Sequence, residues 1–206
     1  MSTLAALRSL VYTYVGTAST DPAYPSGTVT TLLNAVGNRY VDDIHQMKPD
    51  YLVKTTTLTT ATGSHAYTLP SDFAGFLEVR LTDATGWMMT EVRHDELNLG
   101  FGGPVFSITG PDGTAILTTA DSVTAANAIY LWHRYTPVEM AADTDVPTWM
   151  PSRFHDLLAR EAAIDAYGLG NESQPAGHFI QSTEDRRAQF WYSIGRRGVQ
   201  TMIQRR

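Results

Sequence analysis

Three zones of different hydrophobic patterning divide the chain. In residues 1–49, apolar side chains recur at spacings of three and four, which places them on one face of a helix. The first predicted stripe is Leu4, Leu7, Val11 and Tyr14, and the second is Val29, Leu32, Leu33, Val36, Tyr40, Ile44 and Met47. Ser26 is the predicted N-cap of the second helix, and Pro49 is predicted to end it.

Residues 50–148 have the pattern of short strands instead. They contain 18 of the 27 threonines, and β-branched side chains favour extended backbone. Turn signals separate seven candidate strands at 52–60, 66–69, 75–81, 87–92, 105–109, 114–118 and 128–135. Short strands at near-regular spacing predict an antiparallel sandwich or barrel, because no helical pattern is present for a parallel crossover.

The helical period returns from residue 149 onward. A third helix is predicted after Ser152 as N-cap, with Gly168 and Gly170 ending it. A fourth is predicted from about Gly177 until Gly195 and Gly198 break the chain. The predicted fold class is therefore α+β, a bundle of two N-terminal and two C-terminal helices with an inserted antiparallel β domain. The expected divisions are 1–49, 50–148, 149–195 and a basic segment at 196–206.

Charge is distributed unevenly along the 206 residues. The formal net charge is −6, yet residues 1–185 hold all 21 acidic and only 9 of the 15 basic residues, a balance of −12. Six arginines follow without any acid: Arg186, Arg187, Arg196, Arg197, Arg205 and Arg206. The acidic body argues against general affinity for nucleic acid. The basic end alternates with Val199, Met202 and Ile203, a mixture that best fits a groove on an acidic protein. Nucleic-acid phosphates, an anionic lipid surface and a solvated end are the alternatives.

Composition excludes several kinds of chemistry. The chain has no cysteine, which excludes disulfides, a thiol nucleophile and a thiolate zinc site. Its six histidines are scattered without metal-binding spacing, so we expect neither a metal nor a cofactor. Asp143-Thr144-Asp145 resembles a fragment of a calcium loop but is better explained as a turn. No apolar run of about 18 residues occurs, and no basic start precedes an apolar stretch, so we expect neither a membrane span nor a signal peptide.

A pair of carboxylates is the best candidate for enzyme chemistry. Glu161 and Asp165 are four residues apart within the apolar stripe of the third helix. Two coupled carboxyl groups can act as acid and base in glycoside hydrolysis. Charges on a buried face more often pair with arginine across a helix or a subunit contact, and Arg160, Arg186 and Arg187 are available. The structural interpretation is the preferred one.

An ordered series of motifs runs through most of the chain between about residues 26 and 170. The motifs are Tyr67-Thr68-Leu69-Pro70-Ser71-Asp72-Phe73, His94-Asp95-Glu96-Leu97, Gly103-Pro104-Val105-Phe106, Tyr130-Leu131-Trp132-His133-Arg134-Tyr135-Thr136-Pro137, Asp143-Thr144-Asp145-Val146-Pro147 and Pro151-Ser152-Arg153-Phe154-His155-Asp156-Leu157-Leu158. In this order they resemble the head-to-tail adaptor (connector) proteins of tailed bacteriophages, chiefly the short-tailed type.

The resemblance implies a structural, non-enzymatic protein of the virion. Adaptors of this kind form a ring, usually of twelve copies, between the portal protein and tail nozzle, tube or fibre proteins, and DNA passes through the shared channel. The resemblance also implies assembly in the host cytoplasm and no membrane contact. The portal-docking segment of these proteins corresponds in position to the basic end of this chain, with its residues Arg196, Arg197, Val199, Met202, Ile203, Arg205 and Arg206. Because a closed ring needs two different faces of each subunit to meet, Glu161, Asp165, Arg186 and Arg187 are candidates for the contact between subunits.

Three rival functions remain at this point. One is a ring protein lower in the tail, such as a tail terminator or a nozzle-associated subunit. Another is a phage cell-wall glycosidase that uses Glu161 and Asp165. The third is a carbohydrate-binding β module, because Trp87 and Trp132 offer faces on which sugars stack, although core aromatics are the commoner explanation.

Overall fold

The chain forms two compact units, one helical and one β-rich. The computed structural model describes residues 1–59, 65–82, 88–97, 99, 103–110, 114–120, 128–169, 175 and 177–203, except for the side chains of Thr82 and residues 196–203. The helical unit comprises Met1–Tyr51 and Pro137–Arg206, and the β unit comprises Leu52–Thr136. The predicted α+β class with an inserted β domain is confirmed.

Among its described residues, the helical unit contains four α-helices. They are α1 (Leu4–Val15), α2 (Ser26–Met47), α3 (His155–Leu169) and α4 (Gly177–Ile203), with a 3-10 turn at Ser152–Phe154 before α3. Helix α3 contacts all three others and is the central helix of the unit. Its buried surface is rich in alanine (Ala159, Ala162, Ala163 and Ala166), and such small side chains let neighbouring helices approach closely.

The structure corrects four details of the helix boundaries. Pro25 occupies the N-cap of α2 without a side-chain hydrogen bond, so Ser26 is the first helical residue and not the cap. Pro151 likewise precedes the 3-10 turn that begins at Ser152. Gly168 lies within α3, whereas Gly170 lies outside the described residues. Helix α4 continues through Gly195 and Gly198 to Ile203. Glycine weakens a helix interior by about 1 kcal/mol relative to alanine, which is too little to end a helix by itself.

After the β unit, residues 137–151 return along the helices and hold the start of α1. The backbone N–H groups of Leu4 and Ala5 donate to the carbonyl oxygens of Asp145 and Asp143, at 2.7 and 3.1 Å. The Asp145 carboxylate accepts from the backbone N–H groups of Ala141 and Ala142, both at 2.7 Å. These two hydrogen bonds lower the pKa of Asp145 below its usual value. The predicted turn at Asp143-Thr144-Asp145 is confirmed.

In the part of the β unit that the structure describes, seven strands form two sheets. They are β1 (Val53–Thr59), β2 (Ala66–Thr68), β3 (Phe73–Thr82), β4 (Thr90–Glu91), β5 (Val105–Thr109), β6 (Ile116–Thr119) and β7 (Ala128–Tyr135), with a 3-10 turn at His94–Glu96. One sheet has the order β1-β7-β3 and the other the order β2-β6-β5-β4. Side chains from both sheets share one core, which confirms a sandwich: Tyr67, Leu69, Phe73, Val79, Leu81, Met89, Phe106, Ala115, Leu117, Ile129 and Leu131.

One pairing departs from the antiparallel prediction. Strands β4 and β5 run parallel, with Thr90 opposite Val105 and Glu91 opposite Phe106. The connection from Val92 to Pro104 contains a 3-10 turn and has the dozen residues that a parallel crossover needs. The strand predicted at 87–92 is therefore reduced to two residues, and Trp87 lies outside the described residues.

Candidate assembly site on the helical unit

The carboxylate of Glu161 lies at the centre of a polar cluster between α2, α3 and α4. Glu161 is 8% exposed. Its Oε1 accepts a hydrogen bond from the Tyr40 hydroxyl of α2 at 2.9 Å and another from Nε of Arg187 of α4 at 2.8 Å. Tyr40 also packs edge-on against the buried ring of Phe190 at 5.4 Å between centroids. The cluster therefore fastens three helices at one point.

Electrostatics keep the two neighbours of Glu161, Tyr40 and Arg187, in their ordinary protonation states. Burial raises the pKa of Tyr40 above its usual value, and the charge of Glu161 raises it further. Burial alone lowers the pKa of Arg187, but its hydrogen bond and charge interaction with Glu161 outweigh that and raise it. The phenol thus keeps its proton and the guanidinium its charge. This arrangement suits a structural pair, because neither neighbour of Glu161 is poised to exchange a proton near neutral pH.

Asp165 has a different arginine partner. Its Oδ2 accepts from Arg39 of α2 at 2.6 Å, and the side chains of Arg39 and Asp165 are 57% and 31% exposed. The two carboxylates considered for glycoside hydrolysis are therefore each engaged by a separate guanidinium. The structural interpretation of a pairing across helices describes both residues.

Arg186 belongs to a second cluster, near the start of α3. It donates to the Asp156 carboxylate at 3.1 Å and to the backbone carbonyl of Arg153. The guanidinium carbons of Arg186 and Arg153 lie 5.0 and 4.9 Å from the ring centroid of Phe154. Each contact has the geometry of a cation–π interaction. Arg153 also donates to Ser193 of α4, so this cluster ties α4 to the first turn of α3.

Helix α4 runs on past this point toward the basic end of the chain. Phe190 lies level with Phe154, at 5.5 Å between ring centroids. The helix extends 13 residues beyond Phe190, to Ile203. That distance is roughly 20 Å at the usual helical rise. The side chains of Arg196, Arg197, Val199, Met202 and Ile203, and all of Arg205 and Arg206, lie outside the described residues.

Sequence reasoning identified the charged residues on α3 and α4 but missed their partners on α2. Tyr40 was assigned to an apolar stripe, and Arg39 follows no periodic pattern. The contacts of Arg186 with Asp156, Arg153 and Phe154 were also missed. The position of Tyr40 in a buried stripe carried a signal, because a buried tyrosine hydroxyl needs a hydrogen-bond partner. No such signal marks Arg39.

The described part of the chain contains neither a cluster of metal ligands nor a helix that could span a membrane. No group of three or more metal-binding side chains lies together among those residues. None of the described helices combines the length and the apolar character needed to cross a bilayer. Trp132 lies on the outer face of the three-stranded sheet, with its ring 6.1 Å from Tyr130 and 5.6 Å from the guanidinium of Arg80.

The SU10 adaptor protein family model matches residues 2–206 of the chain. The chain belongs to the SU10 adaptor protein family. The resemblance to the adaptor proteins of tailed phages is thereby confirmed, and the attribution to the short-tailed type stays a prediction. No curated protein sequence matches the chain.

Proposed function

We propose that this protein is a ring-forming subunit that connects the portal protein to the tail of a phage virion. The match to the adaptor family over residues 2–206 is the observation that carries the proposal. A ring of twelve copies would continue the DNA channel, through which the genome is retained and then ejected, and its lower face would receive nozzle, tube or fibre proteins. Assembly takes place in the host cytoplasm before the subunit enters the virion.

The charge distribution supports this role. Residues 1–185 have a balance of −12, and a wall with this charge lets DNA slide past without binding its phosphates. The basic segment at 196–206 begins within α4, which Arg153 and Arg186 tie to the start of α3. In this proposal the segment presents Arg196, Arg197, Arg205 and Arg206 to acidic groups of the portal, with Val199, Met202 and Ile203 as apolar contacts. Twelve copies would multiply a weak contact by avidity.

The proposal excludes catalysis as the primary role. Glu161 is bound by Tyr40 and Arg187, and Asp165 by Arg39, so each carboxylate already has a structural partner. We expect no release of soluble fragments from purified peptidoglycan. Lytic activity that disappears in Glu161→Gln would favour the glycosidase alternative.

The contact between subunits is the finer part of the proposal. We infer that Arg186, Arg187 and Asp165, which are partly exposed, can extend their ion pairs to a neighbouring subunit of the ring. Asp165→Arg tests this inference, because Asp165 lies at the rim of its cluster. Folded protein that no longer assembles supports the inference. Rings that form as in the unaltered chain contradict it.

Binding to a portal ring tests the main proposal. The full chain is mixed with a candidate portal, and the mass is measured by light scattering and the shape by negative-stain microscopy. We expect a ring on the portal that a deletion of residues 196–206 abolishes. A matched variant that replaces the four arginines of this segment with lysine keeps the charge and loses the paired donors, so it is expected to bind more weakly. A chain that ignores the portal would contradict the proposal.

A further inference from the structure

Strand β1 forms an edge of the three-stranded sheet along its whole length. All seven residues from Val53 to Thr59 pair with β7 in an unbroken antiparallel register. Among the described strands, β7 is the one that pairs with β1. The other side of β1 therefore presents the alternating N–H and C=O groups that another strand can bind.

Two of the usual protections of an edge strand are missing from β1, which contains no proline and no bulge. Its one charged residue, Lys54, lies on the same face of the sheet as Thr56 and is paired with Asp72. Thr55, Thr57 and Thr59 are exposed on the outer face of the sheet. Natural edge strands are commonly blunted by proline, bulges or charges, which prevent pairing with another chain. An edge this regular indicates that strand pairing is part of its use.

The remaining edges of the β unit are poor partners for β1. Strands β2 and β4 have three and two residues. Strand β3 has irregular register at Phe73–Gly75 and at Phe76–Glu78, and the carbonyl oxygen of Val79 already accepts from the Met89 N–H at 2.9 Å. Within the described residues, β1 itself is the long regular edge that matches β1 in length.

We propose that β1 pairs antiparallel with β1 of a second copy of this chain, about a twofold axis at Thr56. Thr55 then lies opposite Thr57 of the second copy, and Val53 opposite Thr59. Lys54 falls opposite Leu58, so no like charges meet. Cross-strand threonine pairs favour such a contact. The sequence of β1 is thus self-complementary in this register.

The register of the strands and the direction of their side chains place the twofold axis at Thr56. Directly opposed residues of an antiparallel pair project to the same face of the sheet, so a shift by one residue would oppose the core face of one copy to the outer face of the other. Thr56 projects inward, with its hydroxyl 3.0 Å from Nε2 of His133. A centre on Thr56 is also the one that uses all seven residues of β1. The two sheets then continue as one sheet of six strands.

This contact goes beyond the proposed ring. A twofold contact joins identical surfaces and closes at two copies, whereas a ring joins two different surfaces of each subunit. The β1 pair would therefore form between two chains that are not bound to the portal, or between chains of two separate assemblies. Its presence or absence leaves the portal experiment unaffected.

Two double variants at exposed positions test the pairing and its register. In T55K/T57K, lysine faces lysine twice across the axis, whereas in T55K/T57E lysine faces glutamate twice. Sedimentation of the full chain over a range of concentrations measures the dimer dissociation constant. We expect T55K/T57K to weaken the dimer by about tenfold or more, and T55K/T57E to hold it within about threefold of the unaltered chain. Raising the salt concentration should recover part of the loss in T55K/T57K.

Circular dichroism of both variants checks that they fold, and hydrogen exchange of β1 amides should show protection that increases with dimer fraction. An unaltered chain that stays monomeric at all concentrations overturns the proposal. So does a dimer that both variants weaken equally, or that neither variant changes. Rings without any two-copy species overturn the β1 pair and leave the adaptor proposal standing.

Discussion

The two units use charge in different ways. In the helical unit, one ion pair between described residues is local, Asp156 with Arg160. Four others join residues that are far apart in sequence: Arg8 with Asp143, Arg39 with Asp165, Asp156 with Arg186, and Glu161 with Arg187. In the β unit, Lys54 pairs with Asp72 across 18 positions, whereas Arg80 with Glu78 and Arg93 with Asp95 are neighbours two positions apart. Local pairs of this kind add little to tertiary structure. The β unit depends on its apolar core, and the helical unit adds a polar framework to its own.

The difference follows from the geometry of each unit. A sandwich core is closed by side chains from two sheets whose backbone hydrogen bonds already fix the strands, so strand positions need few polar side chains. A helix satisfies its own backbone and leaves its position to side-chain packing. The small alanine side chains of α3 allow close packing but constrain the positions of the neighbouring helices little. The ion pairs of Glu161 and Asp156 supply that constraint.

Truncation of a core side chain in the β unit should produce the largest effect. Leu131 of β7 is fully buried at the centre of the shared core. Leu131→Ala is expected to lower the free energy of unfolding by about 2–5 kcal/mol, because it removes apolar contacts and leaves a cavity. Urea unfolding measures the change. The exposed Thr68→Ala on β2 is the control, with an expected change within about 0.5 kcal/mol. A loss below about 1 kcal/mol for Leu131→Ala would contradict a core-dependent β unit.

Neutralising the central carboxylate should weaken the helical unit by a smaller amount. Glu161→Gln keeps the shape of the side chain but removes the charge that Arg187 and Tyr40 contact. We expect a loss of about 1–3 kcal/mol, less than for a fully buried pair because the Arg187 side chain is 44% exposed to solvent. Asp165→Asn, at the more exposed pair, is the matched variant and should lose about 0–1 kcal/mol. Equal losses in the two variants would show that burial does not set their ranking.

Periodic features of the sequence predicted the architecture, whereas structural features without a sequence period were not predicted. The apolar stripe of α2 and the alternation of β7 report the repeat of each element, so the order of helices and strands was predictable. The parallel β4–β5 pair was not predictable, because strand direction depends on where the chain returns. Continuation of α4 through Gly195 and Gly198 depends on small propensity differences, which the rest of the helix outweighs.

The candidate site was predictable in its residues but not in its pairing. Glu161 and Asp165 were recognisable because charges interrupt an apolar face. Their actual partners are separated from them by more than 20 residues and lie on other helices, and no local pattern encodes such a pairing. The return segment at 137–151 has no repeat either. Its attachment depends on long-range hydrogen bonds such as that from Asn34 Nδ2 to the Met140 carbonyl oxygen, at 2.9 Å.

The smallest predicted effect is a dependence of the free energy of unfolding on pH. Each unit contributes to it through a buried histidine of its own. In the helical unit, Nδ1 of His155 accepts from the Ser2 N–H at 3.1 Å, and Nε2 lies 3.1 Å from the carbonyl oxygen of Met150. Both contacts are satisfied when the ring is neutral and carries its proton on Nε2. Burial lowers the pKa of His155, and the nearby N-terminal charge lowers it further. In the β unit, burial likewise lowers the pKa of His133.

The sign of the effect follows from these directions. The unfolded chain binds a proton on each histidine with a pKa of about 6.5. Because the folded chain binds it less readily, stability should be constant above that pH and decrease as the pH falls below it. Urea unfolding at pH values between about 5 and 8 measures this slope, and His155→Gln should flatten the part that belongs to the helical unit. Glutamine is chosen because its side-chain oxygen can still accept from the Ser2 N–H. A slope unchanged by His155→Gln would assign the pH dependence to His133 and the β unit alone.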